Sequence, residues 1–159
     1  MSNTETLHKE IDLLQDLIKE MRKSSFQVKA WFISIFGAII VFSKTEIGGG
    51  ESTTIFPVWV IPVLLLIVTF VFWYLDAFFL HAEKRTRVIY EWVISNRPTS
   101  DKYQFDLKTL KREVNGEEKN IAENVKSVKY VMGNTTLLPF YCLPFIFALF
   151  LTVKFAFLA

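Results

Sequence analysis

The chain has 159 residues, 52% of them hydrophobic and 16% aromatic, with a positive mean hydropathy of +0.32. Its apolar residues are gathered into blocks, which excludes an ordinary soluble core as the main organising element and points to a small integral membrane protein. A net charge of +2 selects no partner by itself, and one cysteine, Cys142, excludes a disulfide framework and a cysteine-based metal site.

Residues 1–25 read as a cytoplasmic N-terminal helix. Leu7, Ile11, Leu14, Ile18 and Met21 recur in steps of four and three, a heptad seam that Leu13 and Leu17 widen. The seam can pack on a second helix of the same subunit or form an intersubunit coiled coil. The pattern continues without proline into residues 26–43, the first apolar span, so helix and span can be one rod. Lys29 stands near the start of that span, where a lysine can reach the interface.

Residues 44–55 form a short external loop containing Gly48-Gly49-Gly50. Residues 56–80 are the second span. Beyond it the helical pattern persists to Asn96, with Phe79, Ala82, Thr86, Ile89 and Val93 continuing an apolar stripe. The stripe can meet the N-terminal seam as a cytoplasmic helical stalk. Asn96-Arg97-Pro98 ends the rod, because the residue before proline disfavours helix.

Residues 81–134 form a cytoplasmic region. Phe105–Val114 and Glu117–Met132 read as two short helices split by Asn115-Gly116, and no strand is expected. Residues 137–158 are a third span, in which Pro139 and Pro144 favour a kink. The fold class is thus an all-α integral membrane protein with three transmembrane helices, two of them extended into a cytoplasmic stalk. The 81–134 segment is rich in Lys and Arg while the 44–55 loop holds only Lys44. The N-terminus is therefore placed in the cytoplasm and the C-terminus outside.

Catalysis finds little support. His81-Ala82-Glu83 has the form of a deaminase His-x-Glu, but no paired cysteines follow. No catalytic, cofactor-binding or metal-ligating set is assigned. Asp76 is the most informative residue, since a carboxylate within the last turns of a span is costly and faces protein, water or a cation. It can pair with Lys29, reach Arg85 of another subunit, or act with Lys29 at a pore mouth. The second signal is basic. Lys84, Arg85 and Arg87 cluster one turn beyond the membrane, where the positive-inside bias and anionic lipid account for them. Lys108, Lys111 and Arg112 would share one helical face, and Lys126 and Lys129 another. Together these eight residues are candidate contacts to a cytoplasmic polyanion.

The segment KSSFQVKAWFISIFGAIIVFS and the junction WYLDAFFLHAEKRTRVIYEW, joined as a helical hairpin with cytoplasmic extensions, resemble the SLATT-type small membrane effectors of bacterial antiphage systems. Pore-forming effectors of the Hailong type are the nearest comparison. The third span departs from a two-span pattern. The resemblance implies a homo-oligomeric pore in the bacterial inner membrane, with a tetramer preferred. A nucleotide or DNA oligomer made by a partner nucleotidyltransferase would gate it, and its opening would depolarise the cell. The alternative is a non-conducting anchor or adaptor that recruits a soluble partner through its cytoplasmic helices.

Overall fold

The computed structural model describes residues 3–47, 59–96, 102–108, 110–114, 116–123 and 125–158. The Gly48-Gly49-Gly50 loop and the Arg97-Pro98 stop lie outside them. In chain order the elements are α1 (Asn3–Ile47), α2 (Val60–Asn96), β1 (Lys111–Val114), β2 (Glu117–Asn120), α3 (Val128–Met132) and α4 (Leu138–Leu158).

The protein is mostly helical. α1 runs unbroken for 45 residues, about 68 Å at 1.5 Å per residue. Its sequence contains no proline. Its polar half carries Glu5–Lys9 and Asp16–Lys19 pairs at 2.9 and 3.2 Å, spaced to lie on neighbouring turns. α2 is 37 residues long. Pro62 falls in its first turn, where the missing N–H leaves no bond unmade. α1 and α2 are each long and apolar enough to cross a membrane. Only 17% and 22% of their most apolar stretches are buried within the chain. α4 is a third apolar helix, with Pro139 in its first turn and Pro144 inside it.

Two compact units divide the chain, Met1–Ser25 with Phe78–Val128, and Phe26–Ala77 with Lys129–Ala159. In the first unit the heptad seam of α1 meets the apolar stripe of α2 within one chain. Leu14, Ile89, Trp92 and Val93 are buried there, with Leu7, Ile11, Tyr90, Leu107, Leu110 and Ile121 packed around them. In the second unit Val28 and Phe32 of α1, Leu65 and Ala77 of α2, and Leu137, Tyr141 and Ala148 of the α4 region form the core. Phe32 is its aromatic hub, with ring centroids 5.1–6.0 Å from Phe36, Phe72, Phe140 and Tyr141.

The region after α2 corrects the all-α expectation. Phe105–Val114 and Glu117–Met132 are not two helices. β1 and β2 pair antiparallel, Lys111 opposite Asn120 and Val114 opposite Glu117. Among the described residues of this stretch, helix is confined to the five residues of α3. Asn115-Gly116 is the physical reason: this dipeptide is the strongest short hairpin signal, because a two-residue turn matching strand twist needs positive φ. Gly116 has φ +82°. The ion pairs near the strands do not cross the ladder: Glu113 pairs with Lys102 at 2.5 Å and Lys119 with Glu117 at 3.1 Å, whereas the cross-strand partners are Arg112 with Lys119 and Glu113 with Glu118. What anchors the hairpin is Arg112. Its side chain is fully buried, its guanidinium stacks 4.5 Å from the Trp92 ring and 5.5 Å from the Tyr103 ring, and it donates to the Asp106 carbonyl.

The turn leading into the hairpin is strained. Tyr103 and Phe105 adopt φ of 61° and 55°, a region that costs non-glycine residues on the order of 1 kcal/mol or more each. Packing holds them there. Tyr103 sits edge-on to Trp92 at 5.9 Å. The Phe105 N–H donates to the carboxylate of Glu10 at 3.1 Å, and Glu10 is almost wholly buried.

Candidate functional site

The chemistry-bearing cluster of the second unit is built on Asp76. Its side chain is fully buried, although α2 around it is apolar. Lys29 Nζ of α1 lies 2.6 Å from Asp76 Oδ2, and Tyr141 Oη of α4 donates to the same oxygen at 3.1 Å. Three helices thus each deliver one polar group to one point. Sequence dictates the placement. Lys29 interrupts an apolar run near its polar end, and a lysine stem there can stay in apolar surroundings while its ammonium reaches a partner. Tyr141 contributes an apolar ring and one hydroxyl, a combination that packs and still satisfies a carboxylate. Its ring contacts Phe32 at 5.1 Å, Phe140 at 4.9 Å and stacks with Trp73 at 6.2 Å. Trp73 in turn donates its indole N–H to the Met132 carbonyl at 3.0 Å. The Lys29 side chain retains 29% exposure while Asp76 has none, so the pair is open on the lysine side. The arrangement holds a carboxylate in apolar surroundings between an ammonium and a phenol hydroxyl.

The first unit has its own charged centre. Glu83, buried, accepts from Arg22 of α1 at 2.9 Å and from Arg87 of α2 at 2.7 Å. Gln15 donates to Tyr90 Oη at 3.1 Å. The pairs Gln15–Tyr90, Arg22–Glu83 and Lys29–Asp76 follow one another in steps of seven along both helices.

The basic set does not gather into one site. Arg112 is fully buried against Trp92 and Tyr103 and is withdrawn from any ligand in solvent. Arg87 is committed to Glu83. Lys108, Lys111 and Arg112 share no helical face: Lys108 precedes β1, and alternation along a strand sends Lys111 and Arg112 to opposite sides. Lys126 precedes α3 and Lys129 belongs to it, in the other unit. Lys84, which is half-buried, and Arg85, Lys108, Lys111 and Lys126, which are exposed, remain on the surface of the first unit. Ala82, Arg85, Thr86, Ile89, Leu107 and Leu110 line a groove of about 240 Å³ in that unit. His81, at the base of this stretch, has its pKa lowered by burial and by the Arg85 and Lys84 charges.

Sequence reasoning reached Lys29 and Asp76 but missed Tyr141, Glu83 and the Arg112 stack. Glu83 had a signal: it lies seven residues beyond Asp76, as Arg22 lies seven before Lys29. Tyr141 had none beyond a polar tip in an apolar run. Among the described residues no group of three or more His, Cys, Asp or Glu is placed to hold a metal ion. No protein-family model, curated protein or solved structure matches this chain.

Proposed function

We propose that the chain is an inner-membrane protein whose apolar helices cross the bilayer three times and assemble as a homo-oligomeric ion-conducting pore. The observation that carries this reading is the Lys29–Asp76–Tyr141 cluster. Ionisable groups inside apolar spans are expensive and mark ion pathways and gates. One chain with three spans encloses no wide aqueous path, so conduction needs assembly. Apolar side chains left uncovered on α2 and α4, among them Ile67, Phe70, Leu143 and Phe150, offer surface for lipid and for neighbouring copies.

In this reading Lys29 and Asp76 form the closed-state latch, and a cytoplasmic nucleotide or oligonucleotide acting on the exposed Lys108 and Lys111 shifts the open fraction. Moving the equilibrium from 1:99 to 99:1 requires about 5.5 kcal/mol of differential affinity, within reach of several charge-assisted phosphate contacts. The resemblance to antiphage effectors supplies the physiological role, depolarisation during infection.

The test is conductance of purified protein in planar bilayers. Channel openings altered by Asp76→Asn support the reading. Membranes that stay silent with every nucleotide tried overturn it. The adaptor reading has one observation in its favour, the self-contained core of the first unit around Leu14, Trp92 and Val93. A non-conducting adaptor leaves the membrane potential of overexpressing cells unchanged, whereas a pore collapses it.

A further inference from the structure

The groove of the first unit carries an inference separate from conduction, resting only on the membrane reading of α2. Four of its lining residues, Ala82, Arg85, Thr86 and Ile89, are spaced 0, 3, 4 and 7 along α2 and so share one face. Leu107 and Leu110 form the opposing wall. The lining is aliphatic apart from Arg85 and Thr86. The Thr86 hydroxyl already donates to the Ala82 carbonyl at 3.0 Å. Arg85 is exposed and, unlike Arg22 and Arg87, has no carboxylate partner among the described residues. The groove therefore offers one guanidinium with no carboxylate partner among the described residues, beside the side chains of Ala82, Ile89, Leu107 and Leu110 in a lining that also exposes polar atoms.

That combination discriminates between ligand classes. A polyphosphate or an oligonucleotide carries several charges and needs several cations, whereas this groove supplies one. An amphiphile with a single anionic head and an aliphatic body matches both halves. Position adds a second argument. Arg85 follows Leu80, the last residue of the second apolar span, by five residues, about 7.5 Å of helix rise. The headgroup layer outside the hydrocarbon is roughly 5–8 Å thick on each side. A helix crossing the bilayer thus carries Arg85 at the depth of lipid phosphates. Burial and the neighbouring Lys84 and Arg85 charges hold the His81 pKa below its usual value, so His81 at neutral pH is a hydrogen-bonding group and not a further cation.

We propose that the groove lined by Ala82, Arg85, Thr86, Ile89, Leu107 and Leu110 is a binding site for an anionic phospholipid, with the phosphate on the Arg85 guanidinium and the aliphatic part of the lipid against Ala82, Ile89, Leu107 and Leu110. The lipid would fill a gap between α2 and the segment before the hairpin, fastening that segment at the membrane surface.

The experiment uses the full chain in nanodiscs of phosphatidylcholine containing increasing phosphatidylglycerol. Native mass spectrometry after release counts the lipids retained. Wild-type protein retains phosphatidylglycerol in preference to phosphatidylcholine. Arg85→Gln weakens that retention by about tenfold or more, as loss of a charge-assisted phosphate contact requires. Thr86→Trp, which fills the groove without changing charge, does the same. Lys102→Gln, which removes an exposed cation elsewhere in the same unit, leaves retention intact. Equal losses in Arg85→Gln and Lys102→Gln, or none in either groove variant, overturn the proposal. So does Arg85-dependent binding of a free nucleotide with no lipid preference. Flotation with vesicles separates the two readings. Protein that fails to float refutes the membrane assignment itself, while protein that floats yet holds both lipids equally refutes only the site.

Discussion

At the scale of single residues, Asp76 shows how a charge is tolerated where the sequence is apolar. It is enclosed, with the Lys29 ammonium and the Tyr141 hydroxyl both on its Oδ2. Removing one member of such a pair leaves the other in poor surroundings, which costs more than the pair contributes. Asp76→Leu is therefore expected to lower stability by about 3 kcal/mol, read as a drop in the thermal midpoint in detergent. The double variant Lys29→Met/Asp76→Leu recovers most of the loss. Tyr141→Phe removes one hydrogen bond to a charged acceptor, about 1.5–3 kcal/mol. His81 gives a pH prediction. Its folded pKa lies below 6.5, so the unfolded state binds the proton more readily and stability rises with pH. The loss begins as pH falls below about 6.5 and is complete below the folded pKa. The thermal midpoint of wild-type protein should decline between pH 7.5 and 5.5 more steeply than that of His81→Gln.

At the scale of elements, much of the helical structure was legible and the hairpin was not. The seam of α1 and the stripe of α2 have clear helical periods. α1 contains no proline and is one unbroken helix, the continuous rod that its sequence allows, and α2 ends at Asn96. The KREVNGEEKN stretch misleads for a physical reason. It is rich in Lys and Glu, good helix formers, and the residue it buries is Arg112, where a periodicity reading looks for an apolar side chain. Only Asn115-Gly116 carries the hairpin signal, and the same dipeptide reads equally as a break between two helices. A left-handed φ at Gly116 makes Gly116→Ala costly by about 1–2 kcal/mol. Amide exchange should show that loss first in Lys111–Asn120. Among the candidate residues, Lys29 and Asp76 were legible because charges stand out in apolar runs. Exposed cations could not be told from the buried Arg112 by composition, since only the partners Trp92 and Tyr103, distant in sequence, decide it.

At the scale of the whole molecule, α1 and α2 each contribute to both compact units. In the pore reading, a cytoplasmic ligand reaches the Asp76 region through an uninterrupted helix. A Gly-Pro insertion after Glu83 breaks α2 there, because proline removes a backbone donor and clashes with the preceding turn. The expected outcome is protein that still fractionates with membranes and still conducts, but whose conductance no longer responds to ligand. A response unchanged by the insertion would remove α2 as the link.

The anchoring of β1 and β2 by Arg112 has a consequence for the order in which the chain is built. A two-stranded ribbon is marginal in water even with favourable pairs, and the ion pairs of this one, Lys102–Glu113 and Lys119–Glu117, do not join its two strands. It has no reason to exist before its anchor does. Trp92 must already be seated on the α1 seam before Arg112 can stack on it. During synthesis both long helices emerge ahead of the hairpin, so the ribbon closes as a late event on a finished surface. In folding kinetics it should therefore behave as a region of low φ-value, with substitutions there accelerating unfolding and leaving the rate of folding nearly untouched.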